Sequence, residues 1–586
     1  MKPSSDHADN RQLVETALGN KKADMVIRDG ILLDVYSGRL IPHRSVAVKD
    51  KWIAYVGPDA AHCVGEETDV IEADGRILSP GYIDAHTHLS YEYDLTDFLI
   101  RAIPGGTTTY VTEVESYAFV QGAEGLRVFL EQSRNRPVKI YSLVPPMVTL
   151  SPAARSRFIT RQEVRELLTS DQVIGLGESY WQGAILTPDN RILGLIDETR
   201  RAGKSVQGHA AGASDRKLAA YAAAGALSCH ESISTEDVLS RLEMGYFVLI
   251  REGYIRRDLD IISPIVNEID TRRLGLVTDG TSLDLLSEKG YFVDVIQKAV
   301  DLGLDFVRVV QMVSLNPAEH LGIDHLTGGI SPGRMADILI LPGEDRMTPD
   351  IVISNGQVVA RKGQCTVPLS RVPHPPRFLR TMTMDPVSPE ALKIPAENGR
   401  GDVSVRTIDI QSNGLVTREG EARITVRGGE LQADPENDLL KCVYIERASG
   451  TSQKFIGFVR GWGQQEGAAA SSLCWDSAGL VAVGTSDEDL TVAINRVIHM
   501  QGGTALAKNG ENLLDIPCEA GGYVSGLPFD ALTEKMNRFQ QIVTDLGSTL
   551  PSAHLTLCTL TAAAIPFIRM TEQGYARFRE GDRVGI

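Results

Sequence analysis

The chain has 586 residues, enough for three or four folding units at about 150 residues per domain, although one α/β barrel can take about 250. Lys and Arg number 59 against 76 Asp and Glu, a formal charge of −17, which argues against nucleic acid or an anionic membrane face and favours a small-molecule substrate. The seven cysteines lie far apart with no CxxC pair, and the N-terminal residues lack the apolar run of a signal peptide, so a reduced, cytoplasmic protein is expected. The stretch from Leu555 to Ile568 carries several threonines and a proline and falls short of the roughly 20 apolar residues that a bilayer requires. It reads as a buried strand or helix.

From Ala23 to Pro80 short β-rich runs alternate with turns: Met25–Gly30, Ser45–Val48 and Trp52–Gly57, with hairpin chemistry at Asp29-Gly30. The same texture returns at Asp337–Leu341 and Ile351–Val359, so one small β-sandwich, residues 1–80 with 328–370, is split by a long insert. In the insert, residues 81–327, apolar runs are each followed by helix-like sequence: Ile77–Ile83, Thr107–Thr112, Val138–Val144, Gln172–Leu176, Ser205–Gly208, Ala226–Cys229, Tyr246–Ile250 and Leu274–Thr278. Such runs suit parallel strands buried on both faces, and eight of them alternating with helices make a (β/α)8 barrel. Any single run reads equally well as a buried helix segment; the count carries the assignment. Prolines crowd between Cys365 and Arg400, marking an extended linker at 371–400. Residues 401–586 mix strands such as Gly479–Gly484 with a helix capped by Ser486, whose Asp487, Glu488 and Asp489 suit the helix dipole, and so form an α+β domain.

The strongest local signal is Asp84-Ala85-His86-Thr87-His88 at the end of the first barrel strand. Residues two apart on a strand face the same way, so both imidazoles point into the barrel mouth and can grip one metal ion. Alone, the tripeptide reads equally as a pair of structural histidines. Further polar groups also end barrel strands, however: Glu178 the fourth, His209 the fifth, His230 the sixth and Asp279 the eighth. All six converge on the face where barrel enzymes place their sites. Four imidazoles and two carboxylates exceed what one tetrahedral ion needs, so two divalent metal ions are expected, with Glu178 bridging and Asp279 shuttling the proton to a leaving nitrogen. Zinc, manganese and iron all suit such ligands. Cys229 faces away from its neighbour His230 and is expected in the core.

These residues, in this order, resemble the amidohydrolase superfamily, as do the entry segment Pro80–His88 and the return segment Ser331–Ile338. Within it the likeness is to bacterial adenine deaminases and extends over nearly the full length. It is carried by Gly175-Leu176-Gly177-Glu178, Gly208–Gly212, Tyr221–Gly225, His230-Glu231, Ile250–Gly253 and Thr278-Asp279, and in the third domain by Gly457–Gly463, Asp476-Ser477 and Val483–Asp489. The resemblance implies a manganese or iron pair, sometimes zinc, that hydrolyses adenine to hypoxanthine and ammonia. It also implies that His86, His88 and Asp279 hold one ion, that Glu178 bridges, that His209 and His230 hold the other, and that Arg251 faces the substrate.

On the substrate side the chain departs from the family. Leu89-Ser90-Tyr91-Glu92 stands where the family has Ile-Glu-Ser-Ser, Glu113-Val114-Glu115-Ser116 replaces Asp-Pro-His-Glu, Ser179-Tyr180-Trp181 replaces Met-Met-Asn, and Trp475-Asp476-Ser477-Ala478 replaces His-Asp-Ser-His. Gly280 stands where the family often has an acid. Ser90, Glu113, Glu115, Tyr180 and Trp181 are therefore the expected substrate contacts beside Arg251, and such exchanges shift specificity steeply. Three readings follow: deamination of adenine or a related 6-aminopurine; hydrolysis of another cyclic or linear amide by the same centre; or a metal-bound sensor without turnover. Hydantoinase-like relatives bridge their metals with a carboxylated lysine, which Glu178 replaces here. A homodimer or higher homo-oligomer is expected.

Overall fold

The computed structural model describes residues 9–89, 91–186, 190–396, 401–565, 567–577 and 582–586. At its centre eight short strands run parallel: β1 (Tyr82–His88), β2 (Thr107–Glu113), β3 (Lys139–Val144), β4 (Val173–Leu176), β5 (Ser205–Val206), β6 (Ser228–Cys229), β7 (Phe247–Arg251) and β8 (Leu274–Val277). Each pairs with its sequence neighbour from β1 to β5 and from β6 to β8. Side-chain and loop hydrogen bonds close the two remaining seams. Gly208 N donates to Ser228 Oγ (3.1 Å) between β5 and β6. Between β8 and β1, Asp279 N donates to the His86 carbonyl (3.1 Å) and Thr278 Oγ1 to Asp84 Oδ2 (2.7 Å). Alternate residues of these strands point inward, and Ile83, Ala85, Val111, Leu143, Ile174, Leu249 and Val277 fill the barrel. The mouth above this plug is where the strand ends deliver their polar groups.

The eight expected strands are all present, with one correction. Ile77–Ile83 is two strands: Ile77–Pro80 belongs to the outer sheet and only from Tyr82 does the chain enter the barrel. Ile77–Pro80 pairs parallel with Ile31-Leu32 and antiparallel with Ile338–Leu341. It therefore joins the two halves of the split domain into one nine-stranded sheet. Asp29-Gly30 is not a hairpin turn. It is a bulge inside the strand Met25–Asp34, with Asp29 at φ 53° and the register shifting between Ile27 and Gly30. A Cβ on Gly30 would meet Leu78 Cγ at 2.5 Å, so this strand passes too close to its neighbour for a side chain.

One buried ion pair ties the outer sheet to the barrel. Lys139, the first residue of β3, donates to Asp337 Oδ1 (2.6 Å) and Asn355 Oδ1 (3.1 Å), while Thr327 Oγ1 donates to Asp337 Oδ2 (2.8 Å). The proline-rich linker then crosses the barrel wall: Arg136 Nη1 donates to the Ser370 carbonyl (3.0 Å), Gln121 Nε2 donates to the Arg377 carbonyl (2.9 Å), and Tyr117 Oη meets His374 Nε2 at 2.8 Å.

Beyond it an eight-stranded sheet is covered by the helix Asp487–His499, through Leu490, Ala493, Ile494 and Val497, with Ser486 Oγ accepting from Asp489 N (3.1 Å). The apolar stretch after Leu555 lies in the fully buried helix Ala553–Thr559 and the turn that follows. No helix among the described residues is long and apolar enough to cross a membrane. This C-terminal region sits over the barrel mouth. Glu92, in the loop after β1, exchanges backbone hydrogen bonds with Tyr523 (2.9 Å) and Ser525 (2.8 Å), and Glu572 accepts from Ser151 Oγ and Ala153 N (both 2.8 Å).

Removing one member of a buried pair strands the other charge, at a cost of about 3–5 kcal/mol. Lys139→Met is therefore expected to lower the first thermal unfolding transition clearly, whereas the same change at the exposed Lys21 leaves it in place; calorimetry checks both.

Candidate metal centre and substrate cavity

The mouth of the barrel gathers the six predicted ligands. His86 Nε2 lies 3.0 Å from Glu178 Oε1 and 3.2 Å from Asp279 Oδ1. His88 Nε2 lies 3.2 Å from the same Asp279 oxygen and 3.5 Å from Glu178 Oε1. His209 Nδ1 is 3.0 Å from Glu178 Oε2 and 3.2 Å from His230 Nε2. Ligand atoms bound about 2.0–2.2 Å from a common cation stand roughly 3.0–3.6 Å apart, so these separations fit a cation among them. Glu178 places one oxygen against the His86 side and the other against His209, which is the disposition a bridging carboxylate needs. His86, Glu178, His230 and Asp279 form one group whose donor atoms lie within 4.8 Å of one another, and His209, His230 and Glu231 form a second.

The local sequence explains these positions. His86 and His88 share the inner face of β1 above a register shift between Asp84 and Thr87, whereas Asp84, between the inward Ile83 and Ala85, faces the other side with Thr87. Asp84 is buried behind β1, where Tyr291 Oη (2.6 Å) and Thr278 Oγ1 (2.7 Å) donate to it; burial pushes its carboxyl up to about 6. Gly177 lets β4 end against Glu113, since a Cβ there would sit 2.1 Å from Glu113 Oε2. Glu113 Oε1 in turn accepts from Glu178 N (3.0 Å), and burial together with the Glu178 charge pushes Glu113 up to about 8.

Burial by itself lowers the His86 imidazole, but Asp279 and Glu178 overcome it and carry it up to about 10. The same balance holds His88 well above its ordinary value, with Glu115 Oε1 2.8 Å from its Nδ1. His230 goes the other way, down to about 3, through burial and the neighbouring His86. Against burial, the histidines hold the Glu178 and Asp279 carboxyls well below the usual carboxylate range. Arg251 adds a permanent charge. Its Nη1 pairs with Glu231 and, at 3.1 Å, with Asp279 Oδ2, while Nε reaches Asp258 Oδ2 at 3.3 Å. Its Nη2 is buried with no hydrogen-bond partner among the described residues.

Above the cluster lies a cavity of about 490 Å3. Of the predicted substrate contacts, Arg251, Glu115 and Tyr180 line it. Glu113 and Trp181 do not: Glu113 lies behind Glu178, and Trp181 donates from Nε1 to the Ala211 carbonyl (2.9 Å) beneath Lys217. Ser90 lies outside the described residues. Cys229 is buried in the core, within 3.4 Å of Arg241 Nε. Sequence reasoning missed Glu231 and Asp258, which fix Arg251, and in the wall that the C-terminal domain supplies it missed Leu473 and His554, while Trp475 and Asp476, read as a substrate-side exchange, do line the cavity. No periodicity links β4 with residues some 300 positions away.

The chain is similar to known proteins over nearly its whole length. Residues 77–359 match the amidohydrolase family model, and residues 414–582 match the adenine deaminase C-terminal domain. The adenine deaminase of Moorella thermoacetica is 34% identical over 571 residues, covering 96% of this chain and 96% of the relative. That of Rubrobacter xylanophilus is 34% identical over 581 residues, covering 97% of this chain and 96% of the relative. That of Halalkalibacterium halodurans is 32% identical over 562 residues, covering 95% of each.

Glu178 sets one oxygen against His86 and the other against His209. Glu178→Ala is expected to weaken divalent-metal binding by more than roughly 100-fold, read as metal per chain by elemental analysis at matched free metal.

Proposed function

Because the chain belongs to the adenine deaminase family of amidohydrolases, we propose that it hydrolyses the C6–N bond of adenine or a related 6-aminopurine and releases ammonia. The observation that carries the reading is the convergence of His86, His88, Glu178, His209, His230 and Asp279 at contact distances beneath one cavity. The enzyme uses divalent metal. In this reading two ions would be held, one by His86, His88 and Asp279 and the other by His209 and His230, with Glu178 shared between them. The family likeness favours manganese or iron, with zinc also suited to the donors. When bound, such cations supply a hydrolytic nucleophile at neutral pH by lowering the pKa of water.

The chain's own groups do the rest. Asp279 takes the proton of the attacking water and delivers it to the leaving nitrogen, so that the C6–O bond forms as the C6–N bond breaks and ammonia departs. Arg251, 3.1 Å from Asp279 Oδ2, keeps that carboxylate oriented and charged. The apolar walls of the cavity limit the water around the reacting carbon. Glu113 acts behind the site by fixing the backbone of Glu178, and Trp181 by supporting the β4 loop. The division into residues 1–80 with 328–370, 81–327, 371–400 and 401–586, the cytoplasmic location and assembly into a homodimer or larger homo-oligomer are part of the same proposal.

The metal-reconstituted chain is expected to release ammonia from adenine. Acid release from cyclic or linear amides without ammonia from any aminopurine would select the other hydrolytic reading. Asp279→Asn is expected to lower kcat by roughly 100-fold to 10000-fold while bound metal stays at the wild-type level. Unchanged kcat would remove Asp279 from its assigned role.

A further inference from the structure

The wall that the C-terminal domain lends to the cavity contains one buried carboxyl group with no cationic partner among the described residues. Asp476 is 6% exposed and lies in the loop after the strand Ala468–Ser471, at a left-handed φ of 55°. Its Oδ1 accepts from Tyr180 Oη (3.1 Å) and its Oδ2 from Ala564 N (3.0 Å). Each oxygen keeps a further lone pair, so the group is built to accept from a donor inside the cavity that it lines. Burial, with the Glu115 and Glu178 charges nearby, pushes its carboxyl up to about 7.

Its position identifies the donor. The Tyr180 ring packs on His209, with centroids 4.5 Å apart, and its hydroxyl reaches Asp476, so one side chain links Asp476 to the histidine cluster. A 6-aminopurine carries its exocyclic amine at one end and the single N–H of its imidazole ring at the other. With the amine at Asp279, the ring N–H is the donor left for the far wall. The groups beside Asp476 complement the ring acceptors. Tyr91 and Trp475 meet edge to face with centroids 5.9 Å apart, and neither Tyr91 Oη nor Trp475 Nε1 has a hydrogen-bond partner among the described residues. Tyr91, Tyr180 and Trp475 are all positions where the chain departs from the family pattern, and they cluster around the Asp476 that it keeps.

We propose that Asp476 is a specificity-determining residue, contributed by the C-terminal domain, that accepts a hydrogen bond from the imidazole-ring N–H of the purine substrate. This inference rests on the purine-deaminating reading above. The test compares adenine with 9-methyladenine, which has no ring N–H, using full-length metal-loaded enzyme. Wild type is expected to prefer adenine in kcat/KM by roughly 10-fold to 100-fold, the worth of a hydrogen bond to a charged group. Asp476→Ala is expected to bring that ratio close to one, mainly by raising KM for adenine. Tyr180→Phe, which keeps the carboxyl and removes one of its anchors, is expected to lower the ratio part of the way.

Wild type that does not distinguish the two bases, or Asp476 variants that lose both activities with the ratio intact, would overturn the inference while leaving deamination standing. Wild type that deaminates neither base would overturn the purine reading itself and the inference with it. If Asp476→Ala does not fold, the Tyr180→Phe ratio and the wild-type preference decide the matter.

Discussion

Glu178, Glu231 and Asp279 bring three carboxylates into a nearly closed cup in which, among the described residues, Arg251 carries the permanent positive charge. Taking carboxylates out of water costs several kcal/mol each unless opposite charge stands close by. The cup answers with four imidazoles at 3.0–3.6 Å from those oxygens, two of which are driven strongly toward the protonated form. Protons on these rings and divalent cations between them are alternative solutions to one electrostatic problem, and the amidohydrolase family takes the second. The close packing of β1, β4, β5, β6 and β8 ends is tolerable because that positive charge is available.

This constraint reaches well beyond the ligands. Asp84, behind β1, and Glu113, behind Glu178, are each bonded to the backbone of a strand end that carries one of the clustered side chains. The Lys139–Asp337 pair fixes the outer sheet to the start of β3, and the strand Ile77–Pro80 pairs with both halves of that sheet just before the chain turns into β1. The first pair of histidines thus hangs from a sheet that is itself clamped to the barrel, which keeps the imidazoles in register with the ligands from the later strands.

The C-terminal domain plays a different part. Its strands and the helix Asp487–His499 make an independent core, but its loops and the buried helix Ala553–Thr559 roof the mouth of the barrel. Backbone pairing of Glu92 with Tyr523 and Ser525 binds that roof to the loop that follows the first two histidines. The chemistry is placed by the barrel and the far wall of the cavity by the other domain, so the two can change independently. The family exchanges at Tyr91, Tyr180 and Trp475 fall on the cavity walls, away from the ligand positions.

The amino-acid sequence alone pointed to the barrel, the split outer sheet and the six side chains that meet at its mouth, because each follows from a short-range rule. Apolar runs mark parallel strands, polar residues at their ends mark the mouth, and alternation on β1 puts His86 and His88 on one face. The bulge at Asp29-Gly30 and the break between Pro80 and Tyr82 escaped those rules because they depend on how closely a neighbouring strand approaches, as Leu78 does to Gly30. Only the tertiary structure decided that Glu113 and Trp181 stand behind the site, that Glu231 and Asp258 grip Arg251, and that Asp476 faces the cavity. Those contacts join residues far apart in the chain whose spacing has no period, and they exist only because closing the barrel and seating the second domain bring their backbones together.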